Sequence, residues 1–333
     1  MTCTKLITNQ GYIGIARQTV KGIAESVSDY FIKYEEEGFA TEFETQPLRE
    51  GGDDEYIGDA LKNLHTEKFT ITALARPQLI AYLWAWVLGK DVNSGASDPY
   101  THILTRIPCG RQWFTIRRKL TTGYVQVLQD CKIEKITLEM EAGKALKVVI
   151  EGNALTASST ASEETPVYEV ADPFMFFHGE GRYKINSAVT RDIKKISLGY
   201  TVASQEGLQT DEILLADLPD LKVNVDFSCE VYAASITDFF KKVNYNNSTA
   251  PQENLFSFPF EMDLRQTVTQ ADDRQLKVEI GKIIATPITG INLKGEPEAM
   301  VQTLAGVATV PDAGEHFKVT LKNDLSQNLI SES

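Results

Sequence analysis

Apolar and polar residues alternate with a period of two over most of this chain, the pattern of strands with one buried face. Phe69-Thr70-Ile71-Thr72-Ala73-Leu74-Ala75 is the first clear run. Ile136, Leu138 and Met140 alternate with Thr137, Glu139 and Glu141; after the turn Glu141-Ala142-Gly143-Lys144, Leu146, Val148 and Ile150 alternate with Lys147, Val149 and Glu151. That predicts a hairpin with one apolar and one mostly charged face. Ile196 to Val202, Leu221 to Cys229 and His316 to Leu321 read as further strands. Two segments break the pattern. Pro77 to Leu88 is led by a first-turn proline and stopped by Gly89, with Leu79, Ile80, Leu83, Trp84, Val87 and Leu88 in one apolar stripe. Ser235 and Asp238 open a second helix, over 235–243, with a capping pattern. Trp86 falls off the first stripe and is expected to anchor an interface.

The strand-then-helix order occurs twice. An offset of 156 carries Ile71 to Phe227, Ala73 to Cys229 and Val87 to Val243, and Lys282-Ile283 echoes Lys132-Ile133 at 150. The expected organisation is an N-terminal arm (1–11), one module (12–160), a second module (161–310) and a C-terminal arm or tail (311–333). Thr156 to Thr165 reads as the linker. Two acidic, glycine-containing stretches without apolar period, Gln46 to Gly58 and Ala203 to Asp220, read as matching loops.

Composition narrows the function. Hydrophobic residues make up 42% of the 333, enough for a packed core. The formal net charge of −13 comes without any long basic stretch, which argues against gripping nucleic acid through its phosphates. No apolar run is long enough to span a membrane, and the first fourteen residues lack a secretory core. Cys3, Cys109, Cys131 and Cys229 form no CxxC and are expected to be free thiols. The four histidines are scattered, and no phosphate loop, nucleophile elbow or zinc pattern occurs. No catalytic residue, cofactor or metal site is therefore assigned, and the chain reads as a non-enzyme.

The order of these features resembles the major tail tube proteins of long-tailed (siphovirus-type) bacteriophages, of the two-module kind. The residues that carry the resemblance are Gly11 to Gly22, the acidic-glycine loop, the strand leading to the helix that ends in Leu88-Gly89, Tyr100-Thr101-His102, Asp130 to Leu138 and Ile193 to Tyr200. It covers about Gly11 to Val310. It implies a mainly β fold with a few short helices: two tandem β-sandwich modules, each with a flanking helix, related by internal duplication. It also implies that three chains make a pseudo-hexameric ring, that rings stack into a tube, and that double-stranded DNA passes through the lumen without specific binding. Partners would be further copies and other tail proteins (tape measure, terminator, distal tail), and the location would be the virion, after synthesis in the bacterial cytoplasm.

On this reading Thr137, Glu139 and Glu141, with Lys282, Ala285 and Thr286 at the matching place, are candidates for the lumen wall. Gly51, Gly52, Asp53, Asp54 and Glu55, with Glu206, Gly207, Asp211 and Glu212, are candidates for ring stacking. Two other readings stay open: the inner tube of a contractile tail or injection system, and a decoration or carbohydrate-binding β-sandwich.

Overall fold

The computed structural model describes residues 11–48, 59–168, 182–190, 193–204, 207–208, 215–232, 240–246, 250, 255–265, 274–288 and 301–330. Strands β1 (Ile13–Arg17), β2 (Tyr30–Ile32), β3 (Tyr34–Leu48) and β4 (Asp59–Leu74) lead into helix α1 (Pro77–Leu88). Then come β5 (Gly89–Ser94), β6 (Tyr100–Arg106), β7 (Phe114–Thr121), β8 (Tyr124–Glu141) and β9 (Lys147–Thr160). The second half holds β10 (Arg182–Ile185), β11 (Ala188–Thr190), β12 (Ile193–Ser204), β13 (Gly207–Leu208), β14 (Leu215–Asp217) and β15 (Asp220–Tyr232). It continues through α2 (Phe240–Tyr245), β16 (Ser257–Arg265), β17 (Gln275–Ala285), β18 (Val301–Ala308) and β19 (Phe317–Asn323). The fold is mostly β, with two helices among the described residues, and its pairings are antiparallel throughout.

One order of pairings occurs in each half. In the first, β2 pairs β1, β1 pairs β7, β7 pairs β8, β8 pairs β9, β9 pairs β4 and β4 pairs β3. In the second, β11, β10, β16, β17, β18, β15 and β12 follow one another in the same way. Irregularities recur at the same places, between Phe114 and Ile116 and between Phe258 and Phe260. The ring of Phe69 meets Phe114 edge-on at 5.8 Å, and Phe227 meets Phe258 edge-on at 6.0 Å. Each of the two, Phe69 and Phe227, sits opposite a glycine, Gly152 or Gly306. A Cβ on Gly152 would press against the Lys132 carbonyl and the Phe69 ring, and one on Gly306 against the Ile284 carbonyl.

These contacts correct the repeat. Phe69, not Ile71, corresponds to Phe227, an offset of 158; Cys131, not Ile133, corresponds to Ile283, an offset of 152. The slip is two residues, and a period-two pattern is blind to it.

The two halves join edge to edge. Along one edge, β8 pairs β7 through Cys131 and then β12 from Lys135 to Glu141. A bulge between Ile133 and Lys135 separates the two stretches and redirects the strand. β9 extends through Thr160, so residues 156–160 of the expected linker are strand. The rest of the linker is clamped: Glu164 accepts from the Ser28 amide (2.7 Å) and from Arg117 (2.5 Å).

Helix α1 lies between the halves. Apart from Gln78 it is apolar all round, the signature of a helix with no solvent face. Trp86 is therefore no surface anchor: it is 1% exposed and stacks on Phe114 at 5.0 Å. Trp84 points the other way, onto Tyr200 and Phe317 of the second half. Helix α2 is polar by comparison, with Lys242 in its last turn and no buried residue. The expected start of that helix at Ser235 lies outside the described residues.

The expected C-terminal arm is built into the body from Phe317 onward. β19 sits between β17 and β6. Beyond it, a strap reaches Leu329 and Ile330, both buried. His102, 0% exposed, holds this strap: Nδ1 meets Asp91 at 3.0 Å and Nε2 meets the Leu325 carbonyl at 2.9 Å. The Leu329 amide donates to the same Asp91 carboxylate. With an acceptor at each nitrogen, the geometry suits the doubly protonated ring. Burial by itself disfavours that charge, but the hydrogen bond and charge of Asp91, with Leu325 and Asn323, outweigh it, and the pKa stands above 6.5. A raised histidine pKa gives stability that is present below the unfolded value and lost as pH rises through the folded one. Stability and amide protection of residues 325–330 should therefore fall as pH rises from 6 through neutrality. Hydrogen exchange checks this, and Asp91→Asn should flatten the dependence.

Candidate functional site: a polar face, an open edge and a buried clamp

Seven strands form one continuous run, β3-β4-β9-β8-β12-β15-β18, across both halves. Its inner face carries the core, for example Ile71, Ile150, Leu138, Leu198 and Phe227. Register fixes the opposite face: Thr70 and Thr72 on β4, Val149 and Glu151 on β9, Thr137 and Glu139 on β8, Ser197 and Gly199 on β12, Asp226 and Ser228 on β15. It is a surface of mostly polar and charged side chains. Glu36, Glu42, Glu139, Glu141, Glu151, Asp226 and Glu230 outnumber Lys68, Lys135, Lys147 and Lys195 on it. Ion pairs engage three of these lysines: Lys68 to Glu42 (2.5 Å), Lys135 to Glu151 (2.9 Å) and Lys147 to Glu35 (2.5 Å).

Thr137, Glu139 and Glu141 sit together on this face, beside Gly199, Ser197 and Lys195 of β12. Glu141 bonds Lys144 at 2.7 Å, and this bond, with the charges of Lys144, Lys195 and Lys194, keeps its carboxyl below the usual range. Lys282 and Thr286 do not occupy matching positions. By pairing, Lys282 corresponds to Asp130 and Thr286 to Glu134; Lys282 is paired with Asp312 at 3.1 Å, and the Thr286 amide donates to the Ala305 carbonyl. The counterparts of Thr137 to Glu141 begin at 289, outside the described residues. So do Gly51, Gly52, Asp53, Asp54, Glu55, Glu206, Asp211 and Glu212. Gly207 lies in β13, paired to β14.

One long edge is open. Among the described residues β3 pairs only with β4, whereas its counterpart β12 is paired on both sides. Burial records the difference: Leu198 is 0% exposed, while its counterpart Phe39 is only half-buried. Charge differs too, Lys194-Lys195 on β12 standing where β3 carries Glu35-Glu36. A long unpaired edge is a template for another strand.

At one end of the face, the start of β15 is locked onto the first half. Asp220 accepts from Arg106 and from Arg111 Nε (2.5 Å), with Arg111 almost wholly buried. Arg111 also donates to the Ile133 and Leu218 carbonyls. Lys132 donates to the Leu218 carbonyl at 2.8 Å and lies over the Trp113 ring. Trp113, Leu155 and Leu218 pack together beneath. Burial, then the Arg111 charge, lowers the Lys132 pKa to about 8. Burial opposes the Asp220 charge, yet Arg111 and Arg106 outweigh it and hold the carboxyl below its ordinary value. The sequence did not point to this cluster: its members are up to 114 residues apart and follow no period.

Among the described residues no group of three or more His, Cys, Asp or Glu side chains could hold a metal ion. Cys109, Cys131 and Cys229 are free thiols. None of the helices is long and apolar enough to cross a membrane, within the same residues. No curated protein matches the chain. A family described as phage tail tube protein matches over residues 8–308.

Proposed function

Because the chain belongs to the phage tail tube protein family, a structural component of the virion tail that assembles with other tail proteins, we propose how this chain builds the tube. Its two halves are duplicated modules, residues 12–160 and 161–310, and three chains close a pseudo-hexameric ring of the long-tailed phage type. The observation that carries this reading is the β8·β12 junction. It joins one half to the next through Lys135–Glu141 and Lys195–Thr201. The corresponding acceptor, Glu36 to Glu42 of β3, has no partner strand on its outer side among the described residues. The corresponding donor would be the residues that follow β17, from 287 onward, most of which lie outside the described residues. Donor on one copy and acceptor on the next make a head-to-tail contact, which closes into a ring when the rotation allows.

The size fits the task. Four strands per module and six modules give a barrel of about 24 strands; at ~4.8 Å spacing and ~40° tilt its backbone diameter is roughly 48 Å, wide enough for duplex DNA after side chains are added. The polar face lines this lumen. Its carboxylates outnumber its lysines and repel phosphates, and three of the four lysines are held in ion pairs with Glu42, Glu151 and Glu35. Rings stack through the loops between β3 and β4 and between β12 and β15, and DNA is ejected through the bore.

Assembled tubes should retain almost no duplex DNA at low salt. Glu139→Lys with Glu141→Lys should introduce retention that weakens as salt rises. Wild-type tubes that hold DNA with a steep salt dependence would sink the lumen assignment.

A further inference from the structure

Within the chain, α1 of the first half rests on a platform of the second. It packs on β19, and Trp84 meets Tyr200 and Phe317. That platform is apolar and closed: Tyr200, Phe317, Met262 and Leu276 are all buried. Pairing identifies the same positions in the first half. Thr41 stands opposite Glu67 as Tyr200 stands opposite Val225, and Ala157 opposite Leu128 as Phe317 opposite Ile280. Arg118 stands opposite Gln126 as Met262 opposite Val278. Threonine, alanine and arginine thus replace tyrosine, phenylalanine and methionine. This second platform is also open. Thr41 is exposed, and Tyr124 is 44% exposed where its counterpart Leu276 is 0%.

Helix α2 departs from α1 in the same sense. Both helices end on a left-handed residue whose amide bonds the carbonyl four back, Gly89 to Ala85 and Asn246 to Lys242. Aligned on that cap, Lys241 takes the place of Trp84, and Phe240 that of Leu83. Asn244 fixes α2 to its own half through two hydrogen bonds with the Ile288 backbone (3.0 and 2.9 Å), yet no residue of the helix is buried. The open platform offers a matching acceptor. Glu37 bonds Arg118 through Oε1 alone, at 2.6 and 3.0 Å, and its Oε2 is buried without a hydrogen-bond partner among the described residues. A buried acceptor left in that state costs free energy that a donor recovers. We infer that α2 of one copy seats on the Thr41–Arg118–Ala157 platform of the next, with Lys241 where Trp84 lies within the chain and the Glu37 carboxylate receiving its lysines. The inference rests on the ring reading and names a second contact that closes the ring. An apolar helix meets an apolar platform inside the chain, and a lysine-bearing helix meets a polar one between chains, so the two junctions do not exchange.

The test is cross-linking within tubes of the full chain, followed by sedimentation, negative-stain microscopy and peptide mapping. Thr41→Cys, in a chain carrying Cys3→Ser and Cys109→Ser, provides one reactive exposed position and leaves the α2 lysines native. A short thiol-to-amine reagent should join position 41 of one chain to Lys241 or Lys242 of another, and the product should stop at covalent trimers. Lys241→Arg with Lys242→Arg should keep the tubes and abolish the link. Lys241→Glu with Lys242→Glu should raise the assembly threshold by at least ~10-fold, because like charges then face each other. No residue of α2 is buried, so the monomer's melting temperature should move by no more than ~2 °C. Tubes that form without this link would overturn the inference and leave the ring reading intact. Links that run past trimers would overturn it too, by assigning α2 to stacking, as would a link within one chain. Assembly at the wild-type threshold after charge reversal would remove the lysines as the contact. A wild-type chain that never assembles would overturn the ring reading, and this inference with it.

Discussion

Asp220→Ala is expected to lower the unfolding free energy by about 3–5 kcal/mol, the usual cost of removing one partner from a buried ion pair. Asp220 is the carboxylate shared by Arg106 and Arg111, and the side chains of Asp220 and Arg111 are 6% and 1% exposed. Truncation leaves Arg111 with only carbonyl and hydroxyl acceptors, from Ile133, Leu218 and Ser204, none of which offsets its charge. The burial cost remains while the attraction is lost. Urea unfolding of the monomer measures the loss, and Asp220→Asn should fall between wild type and alanine. Because the cluster is buried, ~1 M salt should not erase the difference as it would for a surface pair. A loss below about 1 kcal/mol would mean that water reaches the cluster.

Trp84→Ala is the second large effect, at about 3–5 kcal/mol for a fully buried large aromatic. Trp84 lies edge-on to Tyr200 at 5.5 Å and against Phe317 at 5.2 Å, and those two rings meet at 4.8 Å. One side chain of the first half thus supports two of the second, and its removal opens a cavity where the halves meet. Trp84→Phe should be far milder. Among the described residues the indole Nε1–H has no hydrogen-bond partner, so phenylalanine removes a buried unsatisfied donor while keeping most of the ring. Equal losses for the alanine and phenylalanine variants would contradict this packing.

The elements were largely legible in the sequence; their partners were not. Ile136 to Met140 and Val148 to Ile150 became the β8–β9 hairpin because alternation states directly which side chains point inward. The stretch His316–Leu321 became β19, but nothing local told that it lies between β17 and β6, since those pairings span the chain. Trp86 was misplaced because a single stripe has no meaning in a helix that is apolar on every side. The repeat was visible, yet two residues out of register. The edge-on pairs Phe69–Phe114 and Phe227–Phe258 fix it, and such contacts exist only once the layers are stacked. Of the candidate lumen residues, the shared face of Thr137, Glu139 and Glu141 was readable from the charged side of a hairpin. Lys282 and Thr286 inherited the error in the offset.

In the proposed ring, β3 of one copy receives a strand from the next, as β12 receives β8 within the chain. A helical reconstruction of assembled tubes tests it most directly. Three chains per ring are expected, with the backbone of Glu36 to Glu42 hydrogen-bonded antiparallel to the residues that follow β17 of the neighbour. Six chains per ring, or a β3 edge left in solvent within the closed tube, would contradict it.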